Sequence, residues 1–112
     1  MYIATLTLPN IANDGTDLTD CHCALRSTLC DAFGGFTATI ADGGWRNGDT
    51  VQMERVTVYS IAMPATSDNA ARLDSVALFY GHMARQLVVM VTHAAGDVVM
   101  VDCRLLELVS AI

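Results

Sequence analysis

The sequence predicts an α+β domain on the ferredoxin-like plan, β-α-β-β-α-β with an extra C-terminal strand. Three observations lead there. Apolar residues alternate with a period of two in several short runs, and two longer segments carry them at three- and four-residue spacing. Gly, Pro, Asn and Asp punctuate these segments in the order strand, helix, hairpin, helix, hairpin. Such an order folds most simply as an antiparallel sheet with both helices on one face. At 112 residues the chain is expected to be one domain, 1–112.

Residues 2–8 read as the first strand, with Tyr2, Ala4, Leu6 and Leu8 on one face and Thr5 and Thr7 on the other. Pro9 and a polar loop over 10–17 follow, and the Thr and Asp at its end suit a helix cap. Leu18, Cys21, Leu25, Leu29 and Ala32 or Phe33 form the stripe of a first helix, which Gly34-Gly35 ends. Residues 36–41 return to strand, with Phe36, Ala38 and Ile40 on one face. Two turn signals make 42–49 a loop, and 51–63 is a long β-rich run stopped by Pro64, so the pair reads as a hairpin with an elaborated tip. Ser67 or Asp68 is expected to cap a second helix with Leu73, Val76 or Ala77, Tyr80, Ala84 and Leu87 as its stripe. Residues 87–92 and 98–101 are two more strands joined by a turn at 94–97, while 104–112 fits a short strand or a helix.

Composition narrows the function. Hydrophobic residues are 53% of the chain and charged ones 16%, below the usual quarter or so. That excludes disorder and implies apolar surface at contacts between subunits, consistent with an open sheet face rich in Val and Met. Six Arg, no Lys, ten Asp and two Glu give a net charge of −6. No basic stripe is available to displace counterions, so a nucleic-acid partner is not expected, whereas cationic small molecules are favoured. No basic leader precedes Arg26, and apolar runs such as 87–96 are too short to span a bilayer, so no membrane role is expected. Cys21, Cys23, Cys30 and Cys103 then read as reduced cytosolic thiols, small and buried.

Few residues carry chemistry. Glu54 shares the strand parity of Val56 and Val58, so a carboxylate stands at the edge of an apolar layer, unless it pairs with Arg55 or Arg46. Trp45, the only tryptophan, falls in the turn-rich loop, placed to cover a ligand, anchor an interface or fold back on the core. Tyr59 lies on the face opposite Glu54 and reads as packing. Cys21 and Cys23 point about 200° apart on a helix, and no partner pair completes a metal site, so no metal is expected. His22, His82 and His93 form no catalytic order, though His93 flanks the last hairpin turn. Gly34-Gly35 and Gly43-Gly44 lack phosphate-loop spacing and read as turn glycines. From the residues alone the chain is a small ligand-binding or catalytic domain with no named substrate.

The stretches Leu25-Arg26-Ser27-Thr28-Leu29, Phe33-Gly34-Gly35-Phe36, Gly44-Trp45-Arg46 and Met53-Glu54-Arg55-Val56-Thr57-Val58, with Gln86 leading into the fourth strand, add a resemblance. With the element order they resemble the PII-like trimers and, among these, the phage-encoded enzymes that degrade S-adenosylmethionine, known as SAM hydrolases and SAM lyases. The resemblance implies a PII-like homotrimer in the host cytoplasm with its ligand between subunits and no cofactor. It also implies C–S cleavage to 5′-methylthioadenosine and homoserine lactone, or homoserine. Glu54 would be the catalytic residue, holding the substrate's ammonium group. Trp45 would pack near the adenine or sulfonium, and the backbone around Gly34, Gly35 and Phe36 would approach the ligand. The family often has tyrosine where this chain has Trp45, so no hydroxyl role passes to that position. A non-catalytic PII-like module binding an adenine-containing molecule, and a structural or interaction protein, are the alternatives the residues leave open.

Overall fold

The structure, a computed structural model, describes residues 1–104. The C-terminal segment whose form the sequence leaves open therefore lies outside the described residues, apart from Arg104. The elements are β1 (Tyr2–Pro9), α1 (Thr19–Phe33), β2 (Thr37–Asn47), β3 (Thr50–Met63), α2 (Ser67–Met83), β4 (Val88–Thr92) and β5 (Val98–Asp102). They build one sheet in the order β2-β3-β1-β4-β5 with all neighbours antiparallel. This is the expected α+β, ferredoxin-like plan, with β5 as the added strand.

The period of two in β1 sends Ala4, Leu6 and Leu8 under the helices, where all three are fully buried, while Tyr2 at the strand's start is exposed. Cys21, Leu25 and Leu29 of α1 and Leu73, Ala77 and Tyr80 of α2 meet them, and β3 adds Tyr59, Ile61 and Met63. Gly34 ends α1 in the left-handed conformation (φ 91°), its N–H donating to the Cys30 carbonyl. Thr66, one residue before the expected cap, accepts from the Asn69 amide at 3.2 Å and starts α2. Leu87, expected in the α2 stripe, is 65% exposed because the helix stops at Met83.

The larger correction concerns residues 42–49. They are not a loop: β2 runs on to Asn47, and its ladder with β3 extends from Thr37↔Ser60 to Asn47↔Thr50. Only the second turn signal is used, Gly48 supplying the positive φ (62°) that a two-residue hairpin turn demands. Since β1 pairs with β3 only up to Pro9↔Val56, the β2–β3 ribbon from Asp42 and Arg55 onward projects beyond the sheet's third strand. The face away from the helices is open. Ile3, Val88, Met90, Val98 and Met100 are exposed there, and they hold part of the chain's apolar excess.

Candidate functional site

Directly opposed residues of an antiparallel pair point to the same face. The register Gly43↔Glu54 and Trp45↔Gln52 thus gathers Trp45, Gln52 and Glu54 on the open face of the ribbon, in line with Val56. Two adjoining clefts meet there. One, of about 350 Å³, lies toward the β1–α1 loop and is bordered by Asn10, Asn13, Trp45, Gln52 and Glu54. The other, of about 490 Å³, spreads over the sheet between Gly43, Trp45 and Glu54 on one side and Gln86, Met90 and Met100 on the other. Trp45, Glu54 and Asn13 border both.

Glycine makes the space beside Glu54. A Cβ at Gly43 would stand 3.3 Å from Val56 Cγ1 and 3.7 Å from Glu54 Cγ. The Glu54 side chain itself is half-buried, and among the described residues it makes no ion pair. Arg55 instead reaches Asp42 at 3.4 Å, its cross-strand partner on the other face. The ion pair with Arg55 or Arg46 is therefore not formed. Trp45 is 47% exposed and stands on a strand, neither in a loop nor folded back into the core.

The structure of one chain does not bring Gly34, Gly35 and Phe36 to this cleft. They precede β2 at its opposite end, and ten residues of extended chain separate Gly35 from Trp45 by about 30 Å. Phe36 packs edge-on against the Tyr59 ring, with centroids 5.6 Å apart, on the helix side of the sheet.

Behind the cleft, Tyr59 belongs to a buried polar chain. His22 Nε2 lies 2.8 Å from the Pro9 carbonyl, which can only accept, so Nε2 carries the hydrogen. His22 Nδ1 then accepts from the Tyr59 hydroxyl at 2.5 Å, and Arg26 Nε donates to that hydroxyl oxygen at 3.3 Å. Pro9 itself borders the larger cleft. A second cluster lies at the turn after β4, where His93 sits between Asp74 (2.8 Å) and Asp97 (2.9 Å). The thiols divide: Cys21 and Cys103 are buried, and burial pushes the Cys103 thiol up to about 11, whereas Cys23 and Cys30 are exposed, contrary to expectation. Among the described residues no three His, Cys, Asp or Glu side chains converge as a metal site would require, and no helix is long and apolar enough to cross a membrane.

Glu54 and Trp45, which the sequence singles out, border both clefts together with Asn13, which it does not, and the carboxylates around His93 are likewise not signalled. Asn13 had no detectable signal, because only the packing of the β1–α1 loop against the ribbon gives it a place.

The fold is similar to that of solved phage proteins. A phage SAM lyase in complex with S-methyl-5′-thioadenosine matches with a TM-score of 0.71 at 11% identity, over 92% of this chain and 90% of that one. A phage SAM lyase in its apo state matches with a TM-score of 0.68 at 10% identity, over 90% and 88%. No protein-family model and no curated protein matches the chain. The likeness establishes the fold, in agreement with the resemblance carried by the sequence motifs.

Proposed function

We propose that the protein degrades S-adenosylmethionine by C–S cleavage in the cleft beside Glu54 and Trp45. The observation that carries this reading is the joint placement of an ion-pair-free carboxylate and a half-exposed indole on one face beside Gly43. They stand on a fold shared with phage SAM lyases, one of which holds a methylthioadenosine.

The chemistry suits so sparse a site. A sulfonium is already a good leaving group. The substrate's carboxylate oxygen attacks its γ-carbon, an O–Cγ bond forms, and the Cγ–S pair returns to sulfur, giving homoserine lactone and neutral 5′-methylthioadenosine with no net proton transfer. The protein has to hold a folded near-attack conformer and keep water out, which in the best intramolecular models supplies about 7–11 kcal/mol of the barrier. Glu54 anchors the ammonium group. Trp45 packs on the adenosyl sulfonium, where cation–π attraction is available. A net charge of −6 favours the approach of a cationic substrate.

On this reading the protein acts as a homotrimer in the host cytoplasm, and Gly34, Gly35 and Phe36 reach the ligand only from a second copy across the open face. Incubation with S-adenosylmethionine followed by chromatography tests it. Methylthioadenosine with homoserine lactone is expected, and Glu54→Gln should lower kcat/KM by about tenfold to a hundredfold, the range for a charged hydrogen bond. Direct homoserine formation would indicate attack by water. No product, with a melting temperature raised by methylthioadenosine, would favour the binding module.

A further inference from the structure

The β1–α1 loop and the connection between α2 and β4 meet at the rim of the larger cleft, and one side chain joins them. The Ala12 amide donates to the Thr16 carbonyl and the Gly15 amide to the Ala12 carbonyl, both at 2.9 Å, with Gly15 at φ 88°. This is a three-residue hairpin turn with glycine at its left-handed position, and Asn13 is at its tip. Next to it, Asp14 Oδ1 accepts from the Thr16 amide at 3.0 Å and the Thr16 hydroxyl at 2.6 Å, while Oδ2 accepts from Arg85. The same Arg85 nitrogen also donates to Thr16 Oγ1 at 3.1 Å. Among the described residues Arg85 is the one non-glycine with positive φ (60°), a conformation that side chains disfavour. Gln86 and Leu87, which follow it, border the larger cleft, and Asn13 borders both clefts. Asn13 is exposed, and its carboxamide makes no hydrogen bond to the described residues, which leaves its donor and acceptor free for a ligand.

We propose that Arg85 is a positioning residue that clamps this turn to the α2–β4 connection, so that the Asn13 carboxamide hydrogen-bonds the edge of the substrate's adenine. The inference rests on the reading of the cleft as the S-adenosylmethionine site. A carboxamide offers a donor and an acceptor side by side, the complement of adenine's N7 and its 6-amino group. Both partners of the clamp are half-exposed, and pairs of that kind add little to stability. The left-handed backbone at Arg85 closes α2, the Arg85 amide donating to the His82 carbonyl and the Gln86 amide to the Gly81 carbonyl. The Thr16 hydroxyl and amide, followed by Arg85, hold the Asp14 carboxyl down to about 2, and the clamp stays charged at neutral pH.

Arg85→Gly separates the two roles, since glycine relaxes a positive φ while the clamp is lost. The expected result is a melting temperature no lower than that of the wild type, with KM for S-adenosylmethionine raised about fivefold to tenfold and kcat little changed, as for loss of one binding hydrogen bond. Asn13→Ala should raise KM alike, Arg85→Lys should restore most of the affinity, and Arg85→Gly with Asp14→Asn should do no more than either alone. The wild type should also discriminate against the inosine analogue, in which a carbonyl replaces the 6-amino group, and Asn13→Ala should lose that discrimination. An active wild type with KM unchanged in Arg85→Gly overturns the clamp. Undiminished discrimination in Asn13→Ala overturns the adenine contact. A wild type that neither turns over S-adenosylmethionine nor binds methylthioadenosine overturns the underlying reading, and this inference with it.

Discussion

Gly43 of β2 and Glu54 of β3 are directly opposed across the ribbon, and the missing side chain of the first opens the space that the second faces. A Cβ at Gly43 would already press on Val56 Cγ1 at 3.3 Å, so the two methyls of a valine must spread over the Glu54 side chain. Gly43→Val should therefore lower kcat/KM for S-adenosylmethionine by about tenfold or more, through lost access. Stability should not fall much, because valine suits a strand better than glycine by up to about 1 kcal/mol. Full turnover in Gly43→Val would mean that the substrate lies elsewhere.

Trp45 is the only tryptophan in the chain, so tryptophan fluorescence, excited beyond the tyrosine absorption band, reports on it alone. If its half-exposed indole packs on an adenosyl group, titration with 5′-methylthioadenosine should quench and shift the emission with the same Kd that calorimetry gives. Trp45→Phe should keep most of the binding and Trp45→Ala should lose about 0.5–1.5 kcal/mol, the scale of an aromatic contact beyond burial. Calorimetric binding with no change in emission would remove Trp45 from the site.

The parts of this structure that were legible in the sequence are those governed by local period. Leu6 and Leu8, or Leu25 and Leu29, repeat at the spacing of their element and fall in the core as that spacing requires. The face of Glu54 followed from strand parity alone. The path of β2 did not, because Asp42, Gly43 and Gly44 are poor strand formers and only their ladder with residues 53–55 overrides that preference. The pairing of Arg55 with Asp42 rather than Glu54 depends on the same register. His93 meets Asp74, 19 residues earlier, and Asp14 meets Arg85, 71 residues later; no window of sequence contains either contact.

Tyr59→Phe tests the buried chain behind the cleft. Removing the hydroxyl leaves His22 Nδ1 without its donor, in a side chain that is largely buried, while Nε2 stays bonded to the Pro9 carbonyl. The expected loss is about 1–3 kcal/mol of unfolding free energy, read from urea denaturation, as for a buried acceptor left unsatisfied. An unchanged midpoint would show that His22 finds another donor.

The His93 cluster predicts a dependence of stability on pH, with a definite sign. Its two ring nitrogens face carboxylate oxygens of Asp74 and Asp97, so both can donate only when the imidazole is protonated. The hydrogen bond to Asp74, and then that to Asp97, raise the His93 pKa against the opposing effect of partial burial. A folded pKa above the unfolded value of about 6.5 means that the native state binds this proton more tightly. The stabilisation is complete below the unfolded pKa and is lost as pH rises through the folded one. Asp97, lowered by the same contact, acts in the opposite sense: its contribution is present above the ordinary carboxylate range and is lost as pH falls through the depressed value. The wild type should thus lose more unfolding free energy than His93→Gln between about pH 6 and pH 9, by no more than about 1 kcal/mol given how exposed Asp97 is. Urea denaturation of both proteins at the two pH values gives that difference directly, with His22, His82 and the thiols common to both. Equal slopes would mean that the clamp between α2 and the last hairpin is not ionic.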